Sequence, residues 1–205
     1  MSVSPHQPGA MAPREPDDLY ATPPPWDIGR PQPALLSLTR SGGIRGRMLD
    51  AGCGTGEHAL MAAALGLDAT GIDLAARALG AAEEKARTRG QEVRFLRHDA
   101  RDLAGLGEQF DTVLDCGLFH VFAGEDRTAY TSGLRFVLRP GGRCFVLCIS
   151  DRERGVWGPV HRVTRDDVEA AFADGWQIDS VEPSVIELGV APGHVDAWFV
   201  AVTRI

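Results

Sequence analysis

Lysine is nearly missing from this chain: Lys85 stands alone, and the remaining basic side chains are arginine and histidine. Against 21 Lys and Arg there are 28 Asp and Glu, so the formal net charge is −7 and the pI is near 5.3. No arginines gather into one stripe, and the sequence offers no electrostatic pull towards nucleic acid or an anionic membrane. Cysteine is scarce too. Cys53, Cys116, Cys144 and Cys148 form no CxxC pair, and three of them sit in apolar runs where a thiol behaves as a small hydrophobe. That argues against a disulfide framework and for a reduced, cytoplasmic protein. No apolar run approaches the roughly 20 residues that a membrane span needs, and the N-terminus lacks the basic start and apolar core of a secretory signal. Oxygen ligands spaced for a divalent cation are lacking as well, because Asp115, Asp151 and the nearby amides do not cluster. No metal is expected, and no internal repeat is present.

What remains is ordinary globular material. The 205 residues are 44% hydrophobic and 24% charged, enough for one domain with a full core. Nine of the thirteen prolines precede residue 34. Residues 1–22, rich in Pro, Ser, Asp and Glu, read as a mobile tail. Residues 23–205 read as a single domain, with 23–46 as an N-terminal arm. From Pro33 a short helix, PALLSLTRS, stops at Gly42-Gly43. Strands GRMLDAG, DATGID, VRFLRHD, FDTVLDCG and GRCFVLCIS then alternate with helical stretches, among them a short helix near residues 101–106 and one near 126–138. Such alternation means βαβ units and a parallel sheet covered on both faces. Thr164 with Asp167 resembles a capping box opening a further helix. The last two strands, WQIDSVEP and HVDAWFVAVTRI, have too little chain between them for a parallel crossover, so they pair as an antiparallel hairpin at the sheet's edge.

The first strand runs into AGCGTGEHA. Gly52, Gly54 and Gly56 allow a sharp strand-to-helix turn and close approach of a ligand, the arrangement of a nucleotide loop. The NAD fingerprint GxGxxG fits poorly, since the third glycine comes one residue early and Glu57 follows it, where a pyrophosphate would want the positive helix end. S-adenosylmethionine has no phosphate, and Asp50 suits its α-amino cation. Asp73, at the end of the second strand, suits two ribose hydroxyls in either cofactor. Asp99 can accept from an adenine amino group while the Ala100 N–H meets a ring nitrogen. An NAD-binding reductase and a nucleoside-binding module without catalysis stay open on these residues alone.

Taken together, LDAGCGTG, the acid of GIDLA, the HDA after the third strand, FDTVLDCG and LRPGGR resemble the class I S-adenosylmethionine-dependent methyltransferases, over about residue 48 to the end. The resemblance implies a Rossmann-like α/β fold, a seven-stranded sheet in the order 3-2-1-4-5-7-6 with strand 7 antiparallel and helices on both faces. It implies donor contacts from Asp50, Gly52, Cys53, Gly54, Gly56, Asp73, Leu74, Asp99, Ala100 and Cys116. PPWDIGRPQP is similar to a segment of the thiopurine and halide/thiol branch and of related bacterial small-molecule enzymes, which folds over the donor. This makes Trp26, Gly29 and Arg30 candidate lid residues, with the Trp26 face near the sulfonium and Arg30 beside a carboxylate.

Ligands of open α/β sheets bind at the carboxyl ends of the strands. There DCGLFHVF places Phe119, His120 and Phe122 towards a methyl acceptor, with His120 either the general base or a hydrogen-bonding group. The loop DRERGVWGPVHRVT adds Asp151, Arg152, Trp157 and His161, of which Arg152 and Trp157 are expected to shape the acceptor pocket. The expected reaction is methyl transfer to a heteroatom of a small molecule: first the oxygen of a phenol, hydroxyquinone or carboxylate, then sulfur in a thiol or thiopurine, and nitrogen third.

Overall fold

A single seven-stranded sheet organises the chain in a computed structural model that describes residues 15–205. The strands are β1 (Arg47–Ala51), β2 (Asp68–Asp73), β3 (Arg94–Arg97), β4 (Phe110–Cys116), β5 (Leu138–Ile149), β6 (Trp176–Glu187) and β7 (His194–Arg204). Their order is β3-β2-β1-β4-β5-β7-β6. β1 lies between β2 and β4 and runs parallel to both, with Asp50 level with Gly71 on one side and Leu114 on the other. β7 is antiparallel to β5 and to β6. The expected sheet, including its reversed strand, is the observed one.

Five helices cover it: α1 (Pro33–Ser41), α2 (Glu57–Ala64), α3 (Ala76–Arg89), α4 (Gly124–Val137) and α5 (Arg165–Ala171). The strand sequences explain why both faces need covering. Met48 joins one apolar cluster with Leu35, Leu38, Ala59 and Ala62 from α1 and α2. Its neighbour Leu49 joins the other, with Tyr130, Leu134, Val168 and Phe172 from α4 and α5 and its flank. Successive side chains of a strand point to opposite faces, so a strand without polar alternation must be buried twice. Val113 and Leu114 of β4 divide in the same way. The capping box before α5 forms: Asp167 N–H donates to Thr164 Oγ1 at 3.0 Å and Thr164 N–H to Asp167 Oδ2 at 2.9 Å.

The structure adjusts three expected elements. The short helix after β3 is a 3-10 segment, Ala100–Leu106, broken at Asp102. α4 starts at Gly124, ahead of the charged run. β6 continues past Pro183 to Glu187, with a register shift between Ile178 and Ser180. Of the tail expected over residues 1–22, residues 1–14 lie outside the described ones. The next part is shaped, with Pro16–Tyr20 forming a 3-10 turn and Asp17 Oδ1 accepting from Arg77 N–H at the start of α3 (2.9 Å).

Candidate active site

The carboxyl ends of β1, β2 and β4 each finish in or beside an acid, and the glycine loop lies among them. Gly52, Gly54 and Gly56 all have positive φ, 69°, 52° and 83°. Gly54 shows why a side chain is excluded: a Cβ there would lie 2.8 Å from the Tyr20 hydroxyl. Its N–H donates to Asp73 Oδ2 at 2.8 Å, while Ala75 N–H donates to Asp73 Oδ1 at 2.8 Å. Asp73 is thereby held rigid with a lone pair on each oxygen still available. Burial raises it above the ordinary carboxylate range, against the pull of those N–H groups.

Asp50 is fully buried. Its Oδ2 accepts from Ala59 N–H at 3.1 Å, and its Oδ1 has no partner among the described residues. Burial, reinforced by the nearby Asp73 and Asp115 charges, pushes it up to about 7. An unpartnered buried carboxylate oxygen costs free energy until a donor reaches it. Glu57, by contrast, does not oppose an anion at the loop. It is held by Arg89 through two contacts of 2.9 Å and by Lys85 at 2.9 Å, so Asp50 rather than Glu57 carries the preference for a cationic ligand. Asp99 accepts from Arg101 N–H at 2.9 Å and from the Arg101 guanidinium at 2.6 Å, which holds it below the usual carboxylate range. Ala100, next to it, is buried, and Leu74 is part exposed beside Asp73.

The arm lies over this loop. Asp27 Oδ2 accepts from Thr55 Oγ1 at 2.9 Å, and Gly29, at φ 69°, donates its N–H to Asp27 Oδ1 at 3.2 Å. Trp26 stays 44% exposed. Arg30 pairs with Glu187 at the end of β6, so it is spent on this clasp in the described structure rather than left open for a ligand carboxylate. The same end of β6 receives Gln32, whose Oε1 accepts from Glu187 N–H (2.8 Å) and whose amide donates to the Glu187 carbonyl (3.0 Å). Gly189 N–H donates to the Pro25 carbonyl at 2.8 Å, and Gln32 N–H to His58 Nε2 at 3.1 Å.

The acceptor side departs from expectation at two residues. Phe119 does not face a ligand. It is fully buried, stacked on Phe172 (centroids 5.7 Å apart) beneath the Arg127 guanidinium, because Asp115 Oδ1 accepts from both Leu118 and Phe119 N–H and turns the chain inward. Burial raises Asp115 to about 6 even though Tyr130 donates to its other oxygen at 2.8 Å. His120 is not placed as a free base. Its Nδ1 accepts from Ile149 N–H at 3.1 Å, and its carbonyl accepts from His161 N–H at 2.8 Å. Burial, followed by the His161 charge, depresses it to about 4. The Cys116 thiol beside it is pushed well up by burial and is no nucleophile. Cys53 lies buried under the loop. Trp157 packs with Leu147, Ile149 and Ile186, and Arg152 lies 5.9 Å over the Trp198 ring. Asp151 Oδ1 accepts from Trp198 Nε1 at 3.2 Å.

Four residues had no visible role in the sequence. Tyr20 sat in an apparent tail, yet it packs against Gly54, and burial and the Asp73 charge raise its hydroxyl pKa. Lys85, noted in the sequence only as the single lysine, donates to Thr55 Oγ1 at 2.7 Å and reaches Glu57. Gln32 and Glu187 close the arm onto β6. Only Tyr20, an aromatic in a stretch otherwise short of apolar residues, gave a usable signal.

These groups fit S-adenosylmethionine. The orphaned Asp50 oxygen suits its ammonium, the two held oxygens of Asp73 its ribose, and the glycine turn its close approach. Among the described residues no three His, Cys, Asp or Glu side chains converge as a metal site would require. A family described as "Methyltransferase domain" matches residues 48–142. A 2-heptyl-1-hydroxyquinolin-4(1H)-one methyltransferase of Mycobacteroides abscessus is 34% identical over 173 residues, 82% of this chain and 75% of that one. A solved structure titled "Conversion of a Disulfide Bond into a Thioacetal Group during Echinomycin Biosynthesis" is 40% identical, with a TM-score of 0.81 over 92% of this chain and 91% of that one. The magnesium protoporphyrin IX methyltransferase of Synechocystis PCC 6803, solved with bound S-adenosylmethionine, shares the fold at 20% identity, with a TM-score of 0.66 over 83% of this chain and 76% of that one. The chain belongs to the class I S-adenosylmethionine-dependent methyltransferases.

Proposed function

We propose that this enzyme methylates a heteroatom of a small molecule, with oxygen as the first choice and a hydroxylated heteroaromatic, phenol or hydroxyquinone as the acceptor class. The observation that carries the oxygen choice is the likeness, over four fifths of the chain, to an enzyme named for a hydroxyquinolinone. An aromatic acceptor is compatible with Trp157, which packs on the apolar end of β5 beside this rim.

Asp50, Asp73 and the glycine loop hold the donor in this proposal, with Asp99, Ala100 and Leu74 at the adenosine end and Cys116 along the wall. Bound there, S-adenosylmethionine supplies a methyl group already activated for displacement. What remains for the protein is alignment and the exclusion of water. The arm serves the second task. Trp26, Gly29 and Asp27 fold over the loop, and the Gln32–Glu187 and Arg30–Glu187 contacts hold them down as a lid. Arg152 and Trp157 border the acceptor.

Sulfur is the second choice, because a solved structure similar over 92% of this chain has a title that concerns disulfide and thioacetal chemistry. Methyl-transfer assays on a panel of hydroxyquinolinones, phenols, hydroxyquinones, carboxylates and thiols decide between them. Turnover on oxygen acceptors at least tenfold above that on thiols is expected. Turnover confined to thiols would move the assignment to sulfur, and turnover confined to amines would reject both.

A further inference from the structure

On the acceptor side of this site His120 itself is not free to take a proton. His120 sits on the 3-10 turn Phe119–Val121 after β4, and its ring is tied to the neighbouring strand. A backbone N–H can only donate, so the contact from Ile149 N–H to Nδ1 makes Nδ1 the unprotonated nitrogen. The neutral ring therefore carries its proton on Nε2. That nitrogen has no partner among the described residues, yet it is not one of the side-chain polar atoms sealed from solvent. It is a free N–H donor at the carboxyl end of the sheet.

Most of the groups around it are already engaged. Asp115 of β4 is occupied by Leu118 N–H, Phe119 N–H and the Tyr130 hydroxyl of α4. Cys116 is a protonated thiol held so by burial. Arg127 of α4 lies over the Phe119 ring and pairs with Asp167 of α5 at 3.0 Å. His161, from the loop after β5, faces His120 as a second imidazole whose charge makes protonation of His120 harder. Asp151, in the same loop, accepts from Trp198 Nε1.

We propose that the acceptor enters this site already ionised, and that His120 donates through Nε2–H to its anionic oxygen or sulfur instead of removing a proton. The preferred substrates are then acidic hydroxyls and thiols, those carrying an appreciable anion fraction at neutral pH, rather than simple alcohols or unsubstituted phenols. The inference rests on the proposed oxygen-or-sulfur acceptor. In the transfer, the anion's lone pair forms the new bond to the methyl carbon and the carbon–sulfur bond of the donor breaks with its electron pair going to sulfur. No proton leaves, since it went to solvent before binding.

The test uses substituted phenols and thiophenols of graded acidity, from roughly 7 up to the ordinary phenol value near 10. For each, log kcat/KM against pH should rise with a midpoint at that acceptor's own pKa, so the midpoint moves along the series. A nitrophenol bound to the enzyme with S-adenosylhomocysteine should show the phenolate absorbance at a pH below its free pKa, a readout independent of turnover. Nitrogen NMR of the His120 ring should report the Nε2–H tautomer with no titration from about pH 6 to about pH 9. His120→Ala should lower kcat/KM by about tenfold to a hundredfold, the worth of a hydrogen bond to a charged group, without moving any midpoint. His120→Gln, which retains an N–H donor, should recover most of it. A midpoint common to all acceptors would overturn the inference, with His120 as the base if both variants abolish it and a neighbouring group such as His161 if they do not. Donor binding without turnover on any acidic hydroxyl or thiol would instead remove the acceptor class, and the inference with it.

Discussion

Asp50→Asn should strengthen the fold above neutral pH while loosening the grip on the donor. The Asp50 carboxyl is fully buried with one oxygen unpartnered, and burial lifts it from an ordinary 3.8 to about 7. At about 1.4 kcal/mol per tenfold change in acidity, the folded chain disfavours the ionised form by about 4 kcal/mol. The sign follows from proton counting. The unfolded chain releases this proton from about pH 4 upward and the folded chain keeps it to about pH 7, so the unfolded state binds fewer protons in between. Stability therefore falls as pH rises through that window and levels off above it. Between about pH 5 and about pH 8 the loss from this one group is about 2–3 kcal/mol. Asparagine retains an acceptor for Ala59 N–H and carries no charge, so the variant escapes the loss. The cost of its unpaired amide, about 1–3 kcal/mol, is the same at both pH values and cancels. Urea unfolding at the two pH values should thus show the variant gaining about 2–3 kcal/mol on the parent as pH rises. Calorimetry at about pH 8 should show donor affinity reduced by about tenfold to a hundredfold. For the parent, donor binding near pH 6–7 should release a proton, visible as a dependence of the heat on the buffer's ionisation enthalpy. A variant-to-parent difference that ignores pH, or an unchanged donor affinity, would refute the assignment of Asp50 as the ammonium partner.

Gly54→Ala should abolish detectable donor binding, because φ is 52° there and the new Cβ would meet the Tyr20 hydroxyl at 2.8 Å. Gly54→Ala combined with Tyr20→Phe should regain part of that binding in calorimetry, and no regain would place the obstruction in the backbone alone. Glu187→Ala removes the Arg30 pair, an exposed contact whose loss costs at most about 1 kcal/mol, so thermal stability should hardly change. Limited proteolysis should nevertheless cut the arm before Gln32 faster, and bound donor should slow the cut. Equal cutting of parent and variant, with and without donor, would make the arm a fixed anchor rather than a lid.

The sheet was legible because its information is local and repeated. The central strands β4 and β5 carry apolar runs, and the acids near the ends of β1 and β2 lie where a ligand meets such a sheet. Asp50 and Asp73 could be placed from position along the chain alone, since β1 and β2 are adjacent and parallel and their ends fall at the same level. Phe119 and His120 could not. Their directions depend on Asp115, four residues before Phe119, capturing two backbone N–H groups and turning the chain into the core. The sequence showed an acid, two aromatics and a histidine beside the pocket without saying which of them the turn would bury. The contacts of Arg30, Gln32, Lys85 and Glu187 were illegible for another reason: these partners lie 26 to 157 residues away, across elements whose packing had first to be known.

Asp50, Asp73 and Asp115 also bear on how the site tells donor from product. Asp50 responds to the charges of the other two, so the three ends of β1, β2 and β4 form one electrostatic unit that burial keeps away from water. Lys85, the one lysine, is not placed to neutralise them, being engaged with Glu57 and Thr55 on the outer side of the loop. A ligand carrying positive charge therefore relieves a repulsion already present in the fold, which is a differential interaction of the kind that selects one ligand over another. The methyl donor carries two positive centres, ammonium and sulfonium, and loses the second on transfer. By this argument the buried acids favour the donor over the spent product, and Asp50→Asn should narrow the ratio of the two affinities as well as lower both. Competition between S-adenosylmethionine and S-adenosylhomocysteine, measured on parent and variant at about pH 8, reads that ratio directly. A ratio unchanged by the substitution would confine Asp50 to the ammonium, with the sulfonium charge felt by other groups.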